Sequence, residues 1–539
     1  MALVSHDEHY RRIWMFPRNI RSIPPWKMAQ ICALFQESFK TGNWSGNQEL
    51  QNNLCRALES AGLKRPGVQY DPASGGPRTY LSQLRCLGLI FSREDIIWFT
   101  KGGEDLVNAV PPLPIMQNLL LRHQYPSIYG MSSGVKINPQ IRVKPVLFVL
   151  KLLSDSRINT LTISELMIPT IFGHNKDCHE ICVRKILSLR AGKAIVELLE
   201  DSKTDLYTPR TRLRTAGNAL KDVKDIANTL KNYLQSCCLI NVEKKNGSDV
   251  ISFNPEVRVL YEKYLREEDK FISTEGGEES FQRAFGAWDS QKDTRGLSTK
   301  EAINKKSAGQ SIIKAMFMQY CGERVVSDTP HEFVTKVSQD FGFSKAEILT
   351  TIEPLMRSSL SYFEATFLDL SKGGAPSAIN FEKAVCNLFQ DRLLFKASLT
   401  GQKKRQGVGG YADIFLVALD EKNCALVDTK ASPVYSLSSS DYRSMAHSYI
   451  QAYQELCTGK NLTLEFCLYV AGGFAETGVK QKLAELKKET NIPVSAIAAH
   501  DFLAIARNRI PPQHQERIRT IFKKNTILNA LDFALQAHG

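Results

Sequence analysis

One stretch near the C-terminal end constrains this chain more than any other. Gly409-Gly410-Tyr411-Ala412-Asp413 leads into an apolar run from Ile414 to Leu419, Asp420-Glu421-Lys422-Asn423 is a polar turn, and a second apolar run from Cys424 ends in Asp428-Thr429-Lys430. Two apolar runs joined by a short polar connection read as a β-hairpin. Asp413 stands at the mouth of its first strand, and Asp428 and Lys430 end the second, a spacing that lets three polar side chains converge. Two carboxylates held close together can share a hard divalent cation, because Mg2+ takes few protein oxygens and keeps several waters. A lysine beside them can orient or deprotonate an attacking water while the cation stabilises charge on phosphate oxygens.

The flanking sequence supplies layers for such a hairpin. Ser377 to Leu394 reads as an amphipathic helix carrying Glu382, with Phe381, Val385, Leu388 and Phe389 at helical spacing. Tyr442 to Cys457 is a second helical pattern, Leu462 to Val470 and Pro493 to Ala499 are strand-like, and a helix starts near Asp501. The expected fold is a mixed α/β layer around a sheet. The Asp/Asp-x-Lys arrangement resembles the PD-(D/E)xK nuclease core. With the basic loop Lys403-Lys404-Arg405-Gln406-Gly407 and Val427-Asp428-Thr429-Lys430, the tail resembles the cleavage domain of FokI-like type IIS restriction endonucleases. The resemblance implies Glu382, Asp413 and Asp428 as metal-binding acids and Lys430 as the water-orienting base. It also places a catalytic histidine at His447, as in strand-nicking relatives.

The front of the chain reads differently. Helical patterns at Met28 to Ser38, Asn47 to Ala61 and Arg78 to Leu87 precede a short hairpin from Leu89 to Thr100. Helices followed by a hairpin read as a winged-helix unit whose last helix enters the major groove. The candidate readers are Arg78, Thr79, Ser82, Gln83 and Arg85, of which Arg and Gln make bidentate contacts to base edges. The logic repeats once. Pro145 opens a buried helix, Thr162-Ile163-Ser164-Glu165 looks like a capped helix start, and Ala216 to Gln235 leads into a hairpin turned at Asn246-Gly247. Arg210, Arg212 and Arg214 at that helix entrance are candidates for phosphate or base contacts. Glu267 to Thr299, rich in Glu, Gly, Ser and Asp, reads as a flexible linker, and Glu332 to Asp369 as helical. His174, Cys178, His179 and Cys182 fit no common zinc spacing and read as a buried helical face. Gln124-Tyr125-Pro126-Ser127, Asn138-Pro139 with Leu147 to Leu153, and the Ala216 to Pro255 segment resemble the AlwI-type recognition region.

The expected domains are winged-helix-like DNA-recognition domains at 1–140 and 141–265, a linker and helical connector at 266–372, and a PD-(D/E)xK endonuclease domain at 373–539. A formal charge of +13 suits a polyanionic partner. Twelve scattered cysteines, no membrane-length apolar segment and no signal-peptide pattern fit a reduced, intracellular, soluble protein, and the resemblance implies the prokaryotic cytoplasm. The resemblance implies an Mg2+-dependent enzyme that recognises a short asymmetric double-stranded DNA sequence and cuts at a fixed distance outside it. It implies as partners a transient homodimer or a small nuclease subunit, and a cognate methyltransferase. The intact Asp428-Thr429-Lys430 favours a double-strand cutter over a nicking enzyme. The large subunit of a heterodimer, a repair nuclease, and a regulator with an inactive nuclease domain stay open as alternatives.

Overall fold

The computed structural model describes residues 10–11, 13–14, 16, 24–40, 44, 46–61, 63, 75–108, 110–128, 136–201, 216–245, 248–296, 306–326, 329–356, 359–375, 377–401, 403, 410–457, 459–475, 478–507 and 509–534. The chain divides into two compact units, Met1–Met318 with His331–Leu355, and Gln319–Pro330 with Met356–Gly539.

In the first unit, helices α1 (Pro25–Lys40), α2 (Gln48–Ser60) and α3 (Gly75–Cys86) precede the antiparallel strands β1 (Ile90–Arg93) and β2 (Ile96–Phe99). Asn47 caps α2, its Oδ1 accepting from Leu50 N at 3.0 Å. The two-residue turn puts Glu94 and Asp95 at φ of 53° and 59°. Positive φ at both central positions matches the turn to the right-handed strand twist, which sequences usually secure with Asn-Gly. Further on, helix α4 (Pro145–Leu153) is followed by β3 (Thr160–Thr162) and α5 (Ile163–Phe172). Thr162 and Glu165 close a capping box at the start of α5, which satisfies two otherwise orphaned N–H groups. Helix α6 (Ala216–Ser236) leads into β4 (Ile240–Lys245) and β5 (Ser248–Phe253), and the sheet order is β3-β5-β4, antiparallel throughout.

The reading of Glu267 to Thr299 as a loosely packed linker is corrected over its described residues. Helix α7 (Gly277–Phe285) lies within it, with Phe281 and Phe285 buried. Glu278 Oε1 accepts from Ser92 N at 2.9 Å, and Gln282 Nε2 donates to Arg85 O at 2.6 Å and Ile90 O at 3.0 Å. Phe281 and Phe285 are four residues apart and share a helical face, a signal that the Gly- and Ser-rich composition around them obscured.

The second unit is built on one sheet. Helix α8 (Ala378–Asp391) precedes β6 (Lys396–Leu399), β7 (Ile414–Val417) and β8 (Asn423–Lys430). There follow α9 (Ser439–Ser444), a π-helical turn (Met445–Tyr449), β9 (Thr463–Ala471), α10 (Val479–Thr490), β10 (Val494–Ala498), α11 (Ala499–Ala506), α12 (Gln515–Phe522) and β11 (Ile527–Leu528). The strand order is β11-β10-β9-β8-β7-β6, with β8 to β11 parallel and β6 to β8 antiparallel. Phe389 packs against Phe395, Phe502 and Phe522 with ring centroids 5.6, 4.9 and 6.1 Å apart. Another buried cluster joins Cys424, Leu426, Met445, Tyr469 and Leu483. Side chains of alternate strand residues share a face. Asp428 and Lys430 therefore continue the row begun by Cys424 and Leu426, past the end of the apolar layer. Strands β6 and β11 and helix α10 were not anticipated from the sequence.

Candidate active site

Asp413 occupies the bend where the chain enters β7, and backbone bonds hold it there. Its carbonyl accepts from Thr400 N at 2.7 Å and Gly401 N at 3.1 Å. Its Oδ2 accepts from Thr429 N at 2.7 Å and Thr429 Oγ1 at 2.8 Å. The residue between Asp428 and Lys430 thus fixes the first carboxylate. Gly401 is part of this cradle. A Cβ there would lie 2.9 Å from Asp413 Oδ1 and 3.1 Å from its Cα, so any side chain would press on Asp413, while at 3.5 Å it would only touch Glu382 Oε1.

Glu382 arrives from α8 and is 6% exposed, and its Oε1 is buried with no hydrogen-bond partner. Asp428, 1% exposed, has Lys430 Nζ 3.0 Å from its Oδ2, an ion pair outside hydrogen-bond alignment. Burial pushes the Glu382 carboxyl up to about 7, and the charge of Asp413 adds to the shift. Burial pushes Asp428 up to about 8 against the pull of Lys430, with Asp413 again adding. Asp413 is the neighbour both acids share.

Lys430 is held between two acids, Asp428 at 3.0 Å and Asp441 Oδ1 at 3.1 Å. Burial alone would lower its pKa, but the two carboxylates outweigh burial and keep the ammonium charged. Sequence reasoning missed Asp441. Tyr449, on the π-helical turn, is the other unanticipated neighbour: burial and then the charge of Asp428 raise its phenol to about 12, and Asp413 and Asp441 add to this.

The other anticipated residues are dispersed. His447 does not join the carboxylates: it is an exposed residue whose Nε2 lies 3.3 Å from Glu489 Oε1 on α10, which corrects its placement in the catalytic group. Gln83 is 1% exposed and has no surface from which to reach a base, also a correction. Arg85 is engaged internally, with Nη2 2.7 Å from Ser92 Oγ and Nε 2.8 Å from Glu278 Oε1. Arg78 is exposed, and Thr79 and Ser82 are half-buried. Lys403 is exposed, while Lys404, Arg405, Arg210, Arg212 and Arg214 lie outside the described residues.

Among the described residues, no three His, Cys, Asp or Glu side chains are close enough to hold an ion between them. A hard cation that keeps most of its waters needs only one or two carboxylates. Asp413 and Asp428 supply that set, with Glu382 beside Asp413. Two buried carboxyls whose pKa burial raises, each with an oxygen that accepts no hydrogen bond, fit a divalent cation, which would favour their charged forms.

Residues 342–529 match the family model described as FokI, cleavage domain. The matched stretch takes in Glu382, Asp413, Asp428 and Lys430, so the site described above lies within the part of the chain that resembles a DNA-cleavage domain. Solved structures of the restriction endonuclease FokI, alone and bound to DNA, are each 12% identical, cover 96% of this chain and 100% of theirs, and score a TM of 0.28. The BpuJ1 endonuclease binding domain in complex with modified DNA is 12% identical, covers 49% of this chain and 90% of its own, and scores 0.34. Scores this low carry no argument about the fold. No curated protein matches the chain. Among the described residues, no helix is long and apolar enough to cross a membrane.

Proposed function

We propose that the protein is a type IIS restriction endonuclease. Its front half reads a short asymmetric double-stranded DNA sequence, through winged-helix-like domains with an AlwI-type recognition region, and its C-terminal unit cuts at a fixed distance outside that sequence. The observation that carries this reading is the convergence of Asp413, Asp428 and Lys430 at the end of one hairpin, inside the stretch that matches the FokI cleavage domain. The charge of +13 suits the polyanionic substrate.

In the proposed mechanism, Asp413 and Asp428 would hold Mg2+, with Glu382 as a third acid to one side. When bound, the cation would supply a Lewis acid that draws charge from the phosphate and acidifies water. Lys430 acts as a charged donor, orienting the attacking water and meeting the phosphate oxygens where negative charge develops. This sharpens its expected role as a base, because an ammonium held between two carboxylates keeps its proton. Thr429 orients Asp413 by donating its N–H and hydroxyl to Oδ2. The product carries a 5′-phosphate. One such site cuts one strand, so double-strand cleavage needs a second copy or a small nuclease subunit. A cognate methyltransferase would protect the host site.

The test is digestion of plasmid DNA by the purified full chain with Mg2+, followed by run-off sequencing of both strands. Discrete cuts at constant offsets from one asymmetric sequence are expected. A cut in only one strand would make the protein a nicking enzyme or a large subunit. Cuts that follow junctions or flaps would make it a repair nuclease, and no cleavage would leave the regulator.

A further inference from the structure

We propose that Asp441 is the positioning residue of this centre, anchoring the Lys430 ammonium from the side opposite Asp428. The inference rests on the catalytic reading above.

The two oxygens of Asp441 divide their work. Oδ2 accepts from Ser438 Oγ at 2.6 Å and from Tyr435 Oη at 2.9 Å. Oδ1 faces Lys430 Nζ at 3.1 Å. Ser438 also caps α9, its Oγ accepting from Asp441 N at 3.1 Å, and Tyr469 Oη donates to the Asp441 carbonyl at 3.3 Å. The carboxylate is thereby locked by two hydroxyls, with one oxygen left aimed at the lysine. A lysine ammonium is a point charge on a flexible four-carbon stem and needs such a partner to stay in place.

Asp428 cannot supply that anchor alone. If Asp428 coordinates a cation, its oxygens turn from the ammonium to the metal. If it carries a proton instead, it attracts the ammonium less. Asp441 stays charged in both cases: burial pushes its carboxyl up, but Lys430 and the two hydroxyl donors outweigh burial. Among the described residues, the charged and titratable groups facing the Lys430–Asp441 pair are Asp428, Tyr435, Tyr449 and Tyr469. The phenols are all raised by burial first, so none competes for the proton near neutral pH. Asp441 lies on α9 immediately before the π-helical turn that carries Tyr449. Such turns add a residue to a helix and re-aim its side chains.

The test compares the full chain with Asp441→Asn, Asp441→Glu, Lys430→Ala and the Asp441→Asn/Lys430→Ala double variant in single-turnover cleavage of plasmid DNA with Mg2+. Asp441→Asn is expected to slow cleavage on the order of 100-fold, as for a misplacement of about 1 Å, while DNA affinity and melting temperature hold. Because Asp441 acts through Lys430, the double variant should be no slower than Lys430→Ala alone. Asp441→Glu should recover part of the rate. A wild-type rate in Asp441→Asn, with Lys430→Ala inactive, would overturn the inference alone. A fully active Lys430→Ala would overturn the catalytic reading and this inference with it. Losses that multiply in the double variant would reduce Asp441 to a structural role. If Asp441→Asn does not fold, Tyr435→Phe replaces it, with a few-fold rate loss that vanishes in the Lys430→Ala background. A wild-type rate there would count against the anchor.

Discussion

Two hairpins in this molecule treat charge in opposite ways. Around β1 and β2, each acid has at least one cation: Arg85 pairs with Glu278 at 2.8 Å, Arg93 and Arg283 share Glu279 at 3.4 and 3.2 Å, and Arg85 and Arg93 also reach a hydroxyl or an indole face. At β7 and β8, Asp428 and Asp441 share the ammonium of Lys430, and Glu382 and Asp413 add two further acids beside Asp428, with Lys383 near Glu382. Buried charge without full compensation is costly to a fold, and a chain that keeps it spends stability on something other than folding. Around the first hairpin, Arg85 and Arg93 are taken up by internal pairs and Gln83 is buried, although the sequence offered Gln83 and Arg85 as base readers. The acids of the second are the ones to which the proposal assigns a cation and a phosphate.

The sharpest way to break this contrast is Asp428→Ala. It should slow cleavage on the order of 1000-fold, as expected where a centre for developing charge is dismantled, and leave DNA binding intact in a gel-shift or anisotropy assay. A variant that cuts at the native rate would move the active site elsewhere. Gly401→Ala should follow with a loss on the order of 100-fold, because its Cβ displaces Asp413 while every acid remains in the sequence. Single-turnover kinetics with an unchanged melting temperature would separate this from unfolding.

Stability should respond in opposite directions at the two hairpins. Arg85→Ala removes the partner of Glu278 and should cost about 1–3 kcal/mol in denaturant unfolding, without changing where the DNA is cut. If the cleavage positions change instead, Arg85 reads bases after all. Asp428→Asn should stabilise the cation-free protein near pH 8. Glu382 and Asp428 have folded values of about 7 and about 8, above the ordinary carboxylate range near 4. Between roughly pH 4 and pH 8 the folded chain therefore holds protons that the unfolded chain has shed, so stability falls as pH rises through that window. Melting temperatures measured in chelator should show this slope, and Asp428→Asn should flatten it. A slope that is flat in the parent chain would mean that these acids ionise normally.

Much of the second hairpin was legible in the sequence. Strand alternation puts Asp428 and Lys430 on one face, and helical spacing of Phe381, Val385 and Phe389 places Glu382 on the buried side of α8. What was hidden depends on contacts between elements. Asp441 gains its role only from Ser438 and Tyr435 on one side and Lys430 on the other, and an aspartate near a helix start looks like an ordinary N-terminal acid. His447 lies on the same helical run, inside a π-helical turn, and its Nε2 meets Glu489 Oε1; resemblance to nicking relatives, from which its place was expected, carries no information about that contact. Composition misled at Glu267 to Thr299, where two phenylalanines in a Gly- and Ser-rich segment were enough to fold α7. In the first unit, β3 has only three residues and is defined by pairing with β5, which periodicity cannot reveal.

The measurement that bears most directly on the central claim is calorimetric titration of Mg2+ into the cation-free full chain in buffers of differing ionisation enthalpy. The account predicts saturable binding that expels protons at pH 6.5, with the release fading above pH 8 and lost in Asp428→Asn, because the cation displaces protons that burial has forced onto Glu382 and Asp428. Binding without proton release, or binding that Asp428→Asn leaves untouched, would contradict it.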